Sequence, residues 1–128
     1  MIDMVRIEVT TTGSAGSATG TGVSEHVIKG KVLRVDINYH ASAPASTDIT
    51  LAQTNDAVAT NIVDKDNSAT DASYYPRVQA TDNGGTGLTL DGTRKMMEPY
   101  VVCDTLTLSV SGSNALTNCV VADIYYEA

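Results

Sequence analysis

Val27-Ile28-Lys29-Gly30-Lys31-Val32-Leu33-Arg34-Val35-Asp36-Ile37-Asn38-Tyr39 is the stretch whose reading decides the fold. Its second half alternates: Val35, Ile37 and Tyr39 fall on one side of an extended chain, Arg34, Asp36 and Asn38 on the other. A helix would scatter these apolar residues around its axis, whereas a strand gathers them on one face. Residues 27–39 are therefore predicted as a long central strand. The same period of two recurs near the start, where Val5, Ile7 and Val9 alternate with Arg6, Glu8 and Thr10.

Outward from this strand, turn chemistry divides the chain. Ala41–Thr47 breaks it, since Pro44 cannot donate to a ladder and the neighbouring residues are small. Asp48–Thr54 returns as a strand through Ile49 and Leu51. Over Ala57–Val63, Val58 and Ile62 fit either one helical face or an irregular strand. Asp64–Ser73 reads as a polar loop, and Tyr74-Tyr75-Pro76-Arg77-Val78 as an extended segment kept out of helix by its proline. Asn83-Gly84-Gly85 and Asp91-Gly92 are turn signals, the second inside a short hairpin with Leu88 and Leu90 before it and Met96 and Met97 after it. Tyr100–Cys103, Leu106-Leu108-Val110 and Val120-Ala122-Ile124-Tyr126 complete the series, the last two predicted as a hairpin turning at Ser111-Gly112-Ser113-Asn114. Seven to nine short strands separated by turns every 8–12 residues or so imply a sandwich or barrel, and the expectation is an all-β, single-domain antiparallel sandwich, jelly-roll-like or Ig-like. Val35, Ile37, Leu51, Leu106, Leu108, Val110, Val120 and Ile124 are the expected core.

Residues 1–22 are set apart from the sandwich expected over 23–128. Thr11–Gly22 is made of Thr, Gly, Ser and Ala alone, with too little apolar surface to offset its own ordering. The expectation is a mobile loop or arm that waits for a partner.

The totals bound the function. A chain of 128 residues is one domain in length. Its residues are 42% hydrophobic, without Phe or Trp, so aliphatic side chains and six Tyr must fill the core. A net charge of −7 opposes the counterion-displacing contacts that bind nucleic acid, so no nucleic-acid partner is expected. No stretch of 18 apolar residues and no basic, apolar leader is present in Met1–Arg6, so neither membrane nor export is expected.

Candidate chemistry meets a bland reading each time. Asp64-Lys65-Asp66-Asn67-Ser68-Ala69-Thr70-Asp71 begins like a calcium loop, but Ala69 stands where the turn needs Gly, and Tyr75 where a bidentate Glu is required. His26, His40, Cys103 and Cys119 could nominally form a zinc set, yet they contain no close knuckle pair. In the expected final hairpin Cys119 lies opposite about Leu108, too far from Cys103 for a disulfide, so both thiols are expected free and buried. No nucleophile elbow or phosphate-binding glycine loop occurs. Tyr39, Tyr125 and Tyr126 fit packing better than a sugar-stacking platform. No catalytic residue, metal ligand or cofactor is expected.

The run from Val35 through Asp48-Ile49-Thr50-Leu51 resembles small head-associated structural proteins of tailed bacteriophages. The similarity continues through Tyr74-Tyr75-Pro76-Arg77-Val78, Asp91-Gly92-Thr93-Arg94, Glu98-Pro99-Tyr100, Leu106–Val110 and Asp123–Glu127, covering about Val32 to Glu127. The resemblance implies a capsid decoration or cement protein. Such a β-sandwich, often trimeric, sits among major capsid protein subunits on the outer surface of the virion and resists the pressure of packaged DNA. Assembly would follow synthesis in the host cytoplasm, with the N-terminal segment in the contact. The alternative from another class is a carbohydrate-binding sandwich module of a tail or fibre. Exposed aromatics beside carboxylates on a concave face would favour that module, and a self-complementary apolar face the cement.

Overall fold

The computed structural model describes residues 1–58 and 60–128. Among them are ten strands and no helix: β1 Ile2–Val9, β2 Ala18–Val23, β3 Ile28–Tyr39, β4 Asp48–Gln53, β5 Asn61–Lys65, β6 Ala72–Tyr74, β7 Arg77–Gln79, β8 Met97–Asp104, β9 Leu106–Ser113 and β10 Val120–Glu127. Two antiparallel sheets pack face to face as a single-domain sandwich. The first has the order β1-β10-β3-β8-β7, with β6 also on β3; the second is β2-β9-β4-β5.

The predicted central strand is β3, and its sequence explains its neighbours. It pairs with β10 along one side, and on the other with β8 at Ile28–Val32 and β6 at Val35–Ile37. Val32 and Val35 are both buried although they are three residues apart. The pairing with β10 slips between them: Arg34 faces Tyr125 and Val32 faces Tyr126, which makes Leu33 the extra residue of a bulge. The Arg77 guanidinium donates to the Leu33 carbonyl at 3.2 Å and so satisfies the backbone at the slip. All eight expected core residues are buried, together with Val5, Ile7 and Val9 of β1. One polar set crosses the interior: the Thr47 hydroxyl donates to Ser113 Oγ, which lies 3.2 Å from Cys119 Sγ.

Four expectations are corrected. Thr11–Gly22 is no free arm. β2 occupies its second half, pairs with β9 in the second sheet and buries Ala18 completely. Thr11 anchors the first half, its hydroxyl donating to the Asn114 carbonyl and its side-chain oxygen accepting the Leu116 N–H. The segment's glycines are the reason it fits. A Cβ on Gly20 would lie 2.5 Å from the Thr10 carbonyl oxygen, and one on Gly22 would lie 2.8 Å from the Ile7 side chain. Small residues let β2 close against the end of β1 where the two sheets meet.

Secondly, Leu106–Val110 and Val120–Tyr126 do not form a hairpin. β9 lies between β2 and β4, and β10 between β1 and β3, so the connection after Ser113 crosses from one sheet to the other. β8 and β9 make the reverse crossing through Thr105 alone. Thirdly, the polar loop expected over Asp64–Ser73 is shorter, because β5 runs on to Lys65 and β6 starts at Ala72. In the ambiguous Ala57–Val63 segment Ile62 is a buried strand residue, Val58 is an exposed turn residue, and Ala59 lies outside the described residues. Fourthly, both cysteines are free as expected, but only Cys119 is buried; Cys103 is exposed on β8.

Candidate functional site

The residues singled out for chemistry are dispersed by the fold. In the acidic stretch, Asp64 ends in β5, the Asn67 N–H donates to Asp48 at 2.8 Å, and Asp71 accepts the Tyr39 N–H at 2.8 Å. Its polar groups thus tie the loop to β3 and β4. His26 sits at the corner before β3, 3.2 Å from the Tyr126 hydroxyl, while the His40 ring accepts the Ser42 N–H. Among the described residues no three or more of His, Cys, Asp and Glu gather where a metal ion could be held. The tyrosines are mostly structural: Tyr39 and Tyr126 are buried, and burial pushes the Tyr39 phenol up to about 12. Arg34 covers the ring of Tyr125 at 4.2 Å from its centroid, and Tyr75 is the one tyrosine among the described residues that is largely exposed.

Two surface regions stand out among the described residues. The first is a polar cleft of about 480 Å³ on the outside of the first sheet, with Asp36, Asn38, Asp71, Ser73 and Asp123 around it. Strand register creates it, since Asp123 of β10 stands between Arg6 of β1 and Asp36 of β3. Each carboxylate is already engaged within the chain. Arg6 forks onto Asp123 at 2.7 and 3.0 Å; Arg34 and Ser73 reach Asp36 at 3.2 and 2.7 Å.

The second region is a limb between β7 and β8. Every residue from Thr81 to Glu98 is exposed, yet the segment is tied together by its own backbone hydrogen bonds. Leu88 N–H donates to the Ala80 carbonyl (2.8 Å), Met96 N–H to that of Leu88 (3.0 Å), and Ala80 N–H to that of Met96 (2.8 Å), which closes a ring of three segments. The two tips are fixed by aspartates. Asp82 accepts the N–H groups of Gly84 and Thr86; Asp91 accepts those of Thr93 and Arg94 and the Arg94 side chain. Those donors, the Arg94 N–H foremost, hold the Asp91 carboxyl below its usual range.

The limb is hydrogen-bonded to itself without being buried, and it carries Val78, Leu88, Leu90, Met96 and Met97 as exposed apolar side chains. At its base lies a groove of about 390 Å³ walled by Val58 and Thr60 on one side and Val78, Glu98, Tyr100 and Val101 on the other. Asp104 pins the β4–β5 connection by accepting the Asn55 backbone N–H at 2.6 Å, which lowers its own pKa. The limb's exposed apolar side chains have no cover within the described residues.

The hairpin at Asp91-Gly92 was legible in the sequence, but its exposure was not. Nothing in the local pattern of Leu88, Leu90, Met96 and Met97 signals that exposure. No family model, curated protein or solved structure matches the chain.

Proposed function

We propose that this chain is a structural protein of a tailed-phage head: a decoration or cement protein that binds the major capsid protein on the outer surface of the virion as a homo-oligomer, most simply a trimer. Its role is contact, with no catalytic step. The observation that carries the reading is the limb, an apolar projection whose shape is set before any partner arrives, as efficient association requires. The acidic balance of the chain agrees with an outward-facing position, away from packaged DNA. The strand and turn text from Val35 to Glu127 that resembles head-associated proteins agrees with it too.

The carbohydrate-module reading draws on the polar cleft but lacks a stacking platform there, because Arg34 occupies the Tyr125 face. Purified protein incubated with empty, undecorated phage heads and then sedimented should travel with the shells in saturable amounts. Absence from the shell fraction, together with saturable binding on a glycan array, overturns the decoration reading in favour of the carbohydrate module.

A further inference from the structure

We infer that the limb is a self-association element, and that its occupant is a second copy of this chain: the limb tip of one copy lies in the groove at the limb base of the next. Charge carries the choice of occupant. Within residues 77–98, Arg77, Arg94 and Lys95 balance Asp82, Asp91 and Glu98, so the whole net charge of −7 resides outside the limb. Two such chains repel one another across most of their surfaces, and the limb with its groove is where they can meet without that penalty. The local pattern is complementary as well. The tip presents Leu90 beside Lys95 and the Asp91–Arg94 ion pair, so its excess charge is the lysine, whereas the groove offers Val58, Val78 and Val101 with Glu98 at its rim.

The apolar residues also fall on both sides of the limb. Val78 stands opposite Glu98, and Gln79 opposite Met97, in the β7–β8 pairing, so Val78 and Met97 project from opposite faces. A contact on one face alone would leave the other wet. A tip-into-groove contact joins two different patches, and repetition of a heterologous contact closes a ring when its rotation permits. This inference deepens the homo-oligomeric part of the proposed function and rests on it. Shells bound by a monomer would refute the inference together with the homo-oligomeric part of the proposed function and leave the capsid contact in place, whereas an oligomer built this way that ignores shells would leave the inference standing and remove the capsid contact.

The test uses the full chain and two variants, Leu90→Asp in the tip and Val101→Asp in the groove. These side chains are 67% and 72% exposed, so each variant should retain the wild-type circular dichroism and melting temperature. If either does not, Leu90→Ser and Val101→Thr replace them. Native mass spectrometry should give a discrete oligomer for the wild type and monomers for each variant alone. An equimolar mixture should give a one-to-one heterodimer, since the intact tip of Val101→Asp can enter the intact groove of Leu90→Asp. A monomeric wild type overturns self-association. Unchanged oligomers in both variants, or a mixture that stays monomeric, overturn the tip-into-groove contact.

Discussion

Residues 11–23 and residues 80–97 are both turn-rich stretches joining strands, and they end in opposite environments. The first is made mostly of Gly, Ser, Thr and Ala; it supplies a strand of the second sheet and a fully buried Ala18. The second holds Leu88, Leu90, Met96 and Met97 and stands in solvent. Hydrophobicity alone would have placed them the other way round. Burial is decided by what is available to pack against. Gly20 and Gly22 allow β1 and β2 to approach until main chain meets side chain, a fit that larger residues would block. The limb's larger side chains have no such counterpart within the chain.

Removing each region should show which one the sandwich depends on. Deletion of residues 1–22 takes away β1, nearly all of β2 and the buried Val5, Ile7, Val9 and Ala18, so residues 23–128 should show no cooperative thermal transition. A sharp transition in that fragment would restore the picture of a dispensable arm. Next in size is Leu108→Ala. Leu108 is fully buried in β9 and stands opposite Gly22, so its truncation should cost about 2–5 kcal/mol in denaturant unfolding. Gly20→Val probes the close approach itself: overpacking against the Thr10 carbonyl should cost about 1–3 kcal/mol. Equal stability of that variant and the wild type would mean that the closeness of β1 and β2 is incidental.

The limb should respond far less. Replacing residues 81–95 by a two-residue Asn-Gly turn shortens an exposed excursion and should alter unfolding free energy by no more than about 1 kcal/mol. A larger loss would show the limb to be part of the folding unit. The smallest effect concerns acid. Because the folded Asp91 carboxyl is held below its ordinary pKa, its support of the tip is complete above about pH 4 and fades as pH falls through the folded value. Amide exchange at Thr93 and Arg94 should therefore accelerate below about pH 4 relative to the core amides of β9, and Asp91→Asn should weaken that contrast. Uniform acceleration throughout the chain would remove the special role of the tip.

How far the sequence could be read follows from the same physics. Alternation in β1, β3, β9 and β10 announces itself because each strand turns one face to a shared interior, and so the sandwich and its eight expected core residues were legible. Which strands pair was less so. Leu106–Val110 and Val120–Tyr126 look like a hairpin because alternation and an intervening turn look the same whether the chain returns within a sheet or passes to the opposite one. β2 escaped notice because glycine and alanine carry no amphipathic signal; their contribution is the space they leave empty. The limb's hairpin was visible in Asp91-Gly92, but exposure depends on the absence of neighbours, which no local pattern records. The dispersal of the Asp64–Asp71 stretch, with Asp64 in β5, the Asn67 N–H on Asp48 and the Asp71 carboxylate on the Tyr39 N–H, is likewise a property of long-range register.

The ring formed by Ala80, Leu88 and Met96 has a further consequence. A β-rich protein displaying Leu and Met at high local density invites runaway stacking, in which open strand borders recruit further chains into fibrils. Here the three limb segments use their central N–H and C=O groups on one another, leaving no ladder border at that level for an incoming strand to extend. Stickiness is thereby confined to side chains, whose shape-selective contacts cannot be extended by an arbitrary strand as an open ladder border can.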